Sequence, residues 1–179
     1  MAITFPDCIE TERLRFRQPV PQDAEAIFGA YAQDSEVCRF MVWVPHKSVE
    51  STTQFIVSCI RSWQTSTAFA YILTSKADGE VLGMLEVRPT QHRANIGYVL
   101  ARAHWGRGLM PEAIRAVAAL ALSALGFFRM EATCDIENIA SARAREKSGF
   151  VKEGRLARYT VHPNISPEPR DCWMYASFR

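Results

Sequence analysis

The chain has 179 residues, 48% hydrophobic and 22% charged, with a formal net charge of +2. This fits one globular α/β domain over residues 1–179, large enough to bury roughly 70% of the surface its unfolded chain exposes. A charge so near zero gives no general field for nucleic acid or an anionic membrane. The five cysteines, odd in number and without a C-x-x-C pair, point to reduced cytoplasmic thiols and away from a disulfide framework or zinc site.

The N-terminal segment has no basic region and no long apolar core, so it does not read as a secretory signal. Arg13-Leu-Arg-Phe-Arg17 alternates apolar and basic residues and predicts a half-buried strand. Helical spacing follows over Gln22–Gln33, with Ala26, Ile27, Ala30 and Tyr31 on one face. Ser48 is placed to cap a second helix, with Glu50 in its first turn and Phe55, Ile56, Cys59, Ile60 and Trp63 at three- and four-residue steps. Ala68–Thr74 and Val81–Arg88 predict strands joined by a hairpin turn at Asp78-Gly79, and Ala94–Leu100 predicts a third. A long Ala/Leu-rich helix is expected over Leu109–Leu125. The longest apolar stretch, Ala116 to Phe128, is broken by Ser123 and Gly126 and falls short of the roughly 20 residues of a membrane-spanning helix. Arg129–Asp135 predicts a strand, Ser141–Lys147 a short helix, and Phe150–Tyr159 and Asp171–Phe178 the last strands. The three prolines between His162 and Pro169 predict a loop. The order implies a mixed, mostly antiparallel seven-stranded sheet with helices on both faces.

One loop stands out. In Trp105-Gly-Arg-Gly-Leu-Met110 a strand has ended and a long helix begins. The first N–H groups of a helix lack internal partners and carry the positive end of its dipole, which suits a phosphate. Gly106 and Gly108 would let the backbone come close, Arg107 adds a cation, and Pro111 fits the first turn. The dinucleotide pattern G-x-G-x-x-G fails because Pro111 stands at its third glycine, and the chain has no G-K-[ST]. The same glycines would also serve simply to close a tight turn.

Trp105-Gly-Arg-Gly-Leu-Met110 resembles the pyrophosphate loop of the GNAT acetyltransferase superfamily, Gln/Arg-x-x-Gly-x-Gly/Ala. Gly108 takes the central glycine, Trp105 replaces the leading residue, and Met110 replaces the final small one. The leading tryptophan resembles the ribosomal-protein N-terminal (RimJ/RimL-type) branch. Ile9–Arg17, Phe40–Ser48, Asn138–Phe150 and Arg170–Tyr175 resemble other segments of that branch, in order along nearly the whole chain. The resemblance implies a sheet splayed between Tyr98–Leu100 and Arg129–Asp135, with acetyl-CoA in the opening. It implies that Leu100 and Arg102 offer backbone groups to the pantetheine, that Trp105, Gly106, Arg107, Gly108, Leu109 and Met110 cradle the pyrophosphate, and that Asn138 lies near the pantetheine. It further implies an amine acceptor, among them a ribosomal or other protein N-terminus, and leaves a homodimer open.

Acetyl transfer needs a neutral amine, a stabilised oxyanion and a hydrogen bond or proton for the leaving thiolate. Asn138 and Ser141 share a helix face. By resemblance Ser141 is the donor to the cofactor sulfur; as residues, both also suit a helix cap. The tyrosine that many members carry one turn further on is replaced by Arg145. The glutamate often found before the loop is replaced by Asn95. Glu86 is the best candidate base, acting through water: alternation puts Leu85 and Val87 on the opposite face, so Glu86 faces either the cleft, where burial would raise its pKa, or solvent. His92 and His46 are the next candidates. Phe40, Trp43 and His46 either pack a helix end or wall the acceptor pocket. The four histidines, His46, His92, His104 and His162, show no metal-ligand spacing, so no metal is expected. Direct attack in a ternary complex is favoured, although Cys134 near the cleft leaves an acetyl-enzyme open. Acetyl transfer to a small amine and non-catalytic CoA binding are the competing functions.

Overall fold

The computed structural model describes residues 4–179; residues 1–3, the start of the N-terminal segment, lie outside the described residues. Alternation builds the first strands. In β2 (Leu14–Arg17) Leu14 and Phe16 are fully buried while Arg15 is exposed. A short strand precedes it, β1 (Cys8–Glu10), paired antiparallel with Ile9 opposite Phe16. Its three residues are too few for alternation to reveal, so the sheet has eight strands where the sequence pattern predicts seven.

The meander continues through β3 (Phe69–Ser75), β4 (Val81–Pro89) and β5 (Arg93–Leu100). β6 (Arg129–Asp135), β7 (Val151–Val161) and β8 (Pro169–Phe178) complete one sheet in the order β1-β2-β3-β4-β5-β6-β8-β7. Every pairing is antiparallel except β5 with β6.

Helices cover both faces. The first, α1 (Ala24–Ile27), follows a 3-10 turn at Pro21–Asp23 and runs on as a π-helical turn over Phe28–Ala32. With α2 (Ser35–Cys38) and α3 (Val49–Gln64) it packs against Ala70, Ile72, Met84 and Val99. Ser48 caps α3 as expected, its Oγ accepting the Ser51 N–H at 3.3 Å. On the other face α4 (Leu109–Ala119), prolonged by a π-helical turn to Ala124, and α5 (Ile139–Lys147) cover Leu85, Val87, Ile96 and Met130. Among the described residues no helix is long and apolar enough to cross a membrane.

The parallel pairing sets up the site. β5 and β6 are in register only over Arg93–Asn95 and Arg129–Glu131. Buried Glu131 fastens this end, 3.4 Å from Arg93 Nη1 and 3.0 Å from Arg129 Nε. Beyond it β5 stays with β4 and β6 stays with β8, so the two strands part.

Trp63 closes the far edge of the core. Its indole N–H donates to the Ala70 carbonyl at 2.7 Å, and its ring stands edge-on to Phe69 and Tyr71. Trp63→Ala is expected to cost about 3 kcal/mol or more. Urea unfolding would measure it, and a loss below about 1 kcal/mol would mean that the site collapses around the deletion.

Candidate active site

The parting of β5 and β6 opens into a cavity of about 400 Å³. Because the opening passes through the sheet, both faces line it. Met84, Glu86 and Arg88 pair across β4–β5 with Val99, Gly97 and Asn95, on the side covered by α1 and α3. Tyr98 belongs to the α5 side. Met41, Trp43 and His46, from the segment between α2 and α3, close one wall. Thr160, His162 and Cys172, from the β7–β8 hairpin, close another.

The α5 side holds the polar centre. Asn138 is the N-cap of α5, its Oδ1 accepting the Ser141 N–H at 3.1 Å. Ser141 is therefore fixed in the first turn by its backbone N–H, and its hydroxyl takes no part in the cap. The Tyr98 phenol lies 2.9 Å from Ser141 Oγ and 3.2 Å from the Ser141 carbonyl. Burial raises the Tyr98 pKa against the opposing effects of Arg145 and Ser141, so Tyr98 remains a phenol near neutrality. Arg145, 4% exposed, hydrogen-bonds Ser141 Oγ through Nη1 and the Thr133 carbonyl through Nη2 at 2.7 Å. Tyr98 thus places a tyrosine hydroxyl from β5 beside Ser141. Strand pairing, which sequence spacing does not encode, brings it there.

On the opposite side Glu86 lines the cavity, with Leu85 and Val87 fully buried behind it. The deep burial considered for its carboxyl is not found. Its side chain is 30% exposed and ion-paired with Arg88, whose Nη2 also donates to Asn95 Oδ1 at 2.7 Å. Gly97 makes room for this guanidinium: a Cβ there would come within 2.9 Å of Arg88 Nη2.

Trp43 and His46 line the cavity, their rings 5.3 Å apart. His46 Nδ1 lies 2.8 Å from Thr52 Oγ1, and burial lowers its pKa, so it is neutral near pH 7. Phe40 does not belong to the lining; its ring lies under the Arg39 guanidinium, and Met41 and Val42 take its place. His92 is exposed in the β4–β5 turn and is also absent from the lining. Buried His162 was the overlooked histidine: its Nε2 is 3.8 Å from Asp135 Oδ2. Its loop is pinned by Asn164, which donates to the carbonyls of Cys38 and Trp43 at 2.6 and 2.8 Å.

Three buried polar atoms have no partner among the described residues: Tyr31 Oη, Arg145 Nε and His162 Nδ1. All three residues line this cavity. An unpartnered buried polar atom costs about 1–3 kcal/mol.

The glycine loop lies at the N-terminus of α4. Gly106 and Gly108 have φ of +74° and +73°, where a side chain is strained. The Glu112 N–H makes the first i→i−4 bond, to the Gly108 carbonyl at 3.2 Å, so the N–H groups of Leu109 and Met110 have no partner within the helix. The Leu109 and Met110 side chains point into the core, which explains why methionine is tolerated at a position that resembles a small-residue site. Trp105 braces the loop: its indole N–H donates to the Leu100 carbonyl at 2.7 Å, and its backbone N–H to the Arg102 carbonyl at 3.1 Å. The Arg102 side chain turns away to Asp34, 3.1 Å distant.

The chain matches the acetyltransferase (GNAT) domain over residues 13–151. An uncharacterized N-acetyltransferase, YoaA of Bacillus subtilis (strain 168), is 34% identical over 166 residues, covering 91% of this chain and 92% of that protein. The chain belongs to the GNAT acetyltransferase family.

Its fold is shared with the microcin C7 self-immunity acetyltransferase MccE, solved with acetyl-CoA and AMP (TM-score 0.86, 20% identity, 99% of both chains). It is shared also with the ribosomal L7/L12 alpha-N-protein acetyltransferase RimL, solved with coenzyme A (TM-score 0.84, 21% identity, 96% of this chain and 97% of that one).

This GNAT enzyme holds its glycine loop from the turn between β1 and β2. Arg13 Nη1 donates to the Arg107 carbonyl at 2.9 Å, and Arg13 Nε donates to Glu112 Oε2 at 2.7 Å. Thr11 Oγ1 and the Arg13 N–H meet Glu112 Oε1 at 2.6 and 3.0 Å. Burial pushes the Glu112 carboxyl up, but these bonds more than offset it and hold the pKa below its ordinary range. The unfolded chain therefore takes up this proton first as pH falls. The stability gained is present in full above the unfolded pKa, about 4.3, and is lost as pH falls through the folded value. Glu112→Gln is expected to cost about 1–2 kcal/mol at pH 7, with the difference vanishing in acid. Denaturant melts across pH test this, and a difference independent of pH would refute the brace.

Proposed function

We propose that this enzyme moves the acetyl group of acetyl-CoA to a primary amine, foremost a protein or peptide N-terminal α-amine, by direct attack in a ternary complex. The observation that carries the reading is the parting of β5 and β6. It exposes strand backbone beside a cavity that joins the Ser141–Tyr98 pair to the Trp43–His46 wall. The solved complexes of MccE and RimL support a CoA thioester as the donor.

In this reading the pantetheine runs along the unpaired edge of β5 near Leu100 and Arg102, with Asn138 at the head of α5 beside it. The pyrophosphate sits on the loop from Trp105 to Met110, using the free N–H groups of α4 and the exposed Arg107. The acetyl carbon lies between the two faces. The amine attacks it, the C–S bond breaks, and its electron pair goes to sulfur. Ser141 gives the sulfur a hydrogen bond. The proton lost by nitrogen leaves through water toward Glu86. An α-amine asks little of the base. With a pKa of about 7.7–8, such an amine is partly neutral near pH 7, whereas a lysine or polyamine nitrogen near 10.4 is almost entirely charged.

Two further observations favour this reading. Burial pushes the Cys134 thiol pKa up against Arg145, which opposes the thiolate that an acetyl-enzyme would need. Glu86, the one carboxylate on the described lining, is occupied by Arg88, so a polyamine or aminoglycoside finds no free anion there. Tyr31 and His162 present polar atoms in want of partners, which suits a peptide backbone.

An acetyl-CoA consumption screen over peptides with free N-termini, polyamines and aminoglycosides tests the function. Turnover of the peptides is expected, turnover of polyamines alone would replace the acceptor, and none at all would leave a CoA-binding module. Gly108→Val, strained at φ +73°, is expected to raise the KM for acetyl-CoA about tenfold, and an unchanged KM would remove the loop from cofactor binding. Ser141→Ala is expected to lower kcat about 10- to 100-fold with little change in that KM. Full activity would exclude Ser141 from the chemistry.

A further inference from the structure

Among the described residues Arg145 is a buried cation without a carboxylate partner. It is 4% exposed, its guanidinium bonds only to Ser141 Oγ and the Thr133 carbonyl, and its Nε has no partner among the described residues. The faces of Tyr98 and Tyr175 lie 5.0 and 6.0 Å from the guanidinium carbon, and Arg145 stands in the last turn of α5, where the helix dipole favours a cation. A buried charge left this way costs stability unless something else is gained.

The hydrogen inventory of Ser141 shows the gain. A guanidinium can only donate, so its bond to Ser141 Oγ fills one of the two lone pairs there. Tyr98 is a phenol whose one hydrogen lies between the Ser141 carbonyl at 3.2 Å and Ser141 Oγ at 2.9 Å; directed to the nearer Oγ, it fills the second lone pair. The single hydrogen of Ser141 is then directed to neither neighbour and is left for the cavity that Ser141 lines. Without Arg145 the hydroxyl is free to turn and spend that hydrogen on Tyr98.

We infer that Arg145 is a positioning residue for acetyl transfer: it locks and polarises the Ser141 hydroxyl so that its hydrogen meets the CoA sulfur as the thioester breaks. The inference rests on the acetyl-CoA reading of the cavity. The C–S electron pair goes to sulfur, and Ser141 stabilises the thiolate without surrendering its proton. A thiol near pKa 8.5 is a stronger acid than Tyr98 or a serine, so the relay Arg145–Ser141–Tyr98 supplies hydrogen bonds and transfers no proton. The sulfur gains its proton from solvent, which balances the one that leaves the amine through water toward Glu86.

A double-mutant cycle tests this, with kcat measured at saturating acetyl-CoA on whichever of a Ser-headed peptide, an Ala-headed peptide or spermidine the wild type turns over fastest. Arg145→Met is expected to lower kcat about tenfold or more, with the KM for acetyl-CoA changed less than twofold. In the Ser141→Ala background the same substitution is expected to change kcat less than twofold, because its target is gone. Arg145→Lys, which keeps a charged donor, is expected to recover part of the rate. The melting temperature of Arg145→Met is expected to equal or exceed that of the wild type, since an apolar side chain replaces an unpaired charge. Full kcat in Arg145→Met, or equal losses in both backgrounds, would overturn the inference while leaving the enzyme's function intact. If Arg145→Met does not fold, the Arg145→Lys cycle decides by the same criterion. A wild type inactive on every amine would overturn the functional reading, and this inference with it.

Discussion

The structure turns on the hydrogen bonds that β5 and β6 do not make. Backbone N–H and C=O groups need partners wherever water is excluded. Here the two strands satisfy one another over only three residues each, Arg93–Asn95 and Arg129–Glu131, and then separate. The separation is held by competing ladders. β4 keeps its register with β5 through Leu100, and β8 keeps its register with β6 through Asp135. The chain supplies substitutes at two points along the opening, Trp105 on the Leu100 carbonyl and Arg145 on the Thr133 carbonyl. An extended amide-bearing arm is the kind of ligand that can complete the rest.

The two ends of the proposed cofactor site are held in different ways. At the loop, recognition falls to backbone N–H groups and a helix dipole, so the side chains serve as scaffolding. Leu109 and Met110 anchor the helix in the core, and Trp105 and Arg13 fix the loop from outside. At the head of α5 the proposed chemistry falls to side chains and the backbone is the scaffold: Asn138 caps the helix so that Ser141 stands in its first turn. Substitutions in the loop therefore act through conformation, whereas substitutions at Ser141 act on a single atom.

Much of this was legible in the sequence, for physical reasons. β6 spans the residues predicted for it, Arg129–Asp135, and the cap of α3 follows from one serine ahead of an amphipathic run. The glycine loop was visible because positive φ restricts composition. What escaped was set by pairing in space. β1 is too short to show a period. Arg13, read as one member of an alternating strand, proves to brace a loop about a hundred positions away. Tyr98 became part of the site only when β5 met α5. His162, in a proline-rich loop that predicts nothing regular, is brought inward by Asn164 gripping Cys38 and Trp43. Phe40 shows the reverse: an aromatic in a segment of the right kind whose side chain leaves the cavity.

The charges around the cavity fall into an asymmetric arrangement that bears on mechanism. On the acceptor side, Glu86 and Arg88 neutralise one another, with Asn95 tied in and Gly97 leaving space for the guanidinium. On the proposed cofactor side, Arg145 stands without a counter-ion among the described residues. During transfer, negative charge develops first on the acetyl oxygen and then on the thioester sulfur. The uncompensated cation therefore lies on the side where the substrates become anionic, and the compensated pair lies on the side that must admit an incoming amine. A charge-balanced acceptor wall avoids both repelling a protonated amine and trapping it as an ion pair, either of which would oppose delivery of the neutral form. The buried cation is disfavoured in the resting protein and is most stabilised as the thiolate forms, so its interaction strengthens along the reaction coordinate, which is the condition for lowering a barrier.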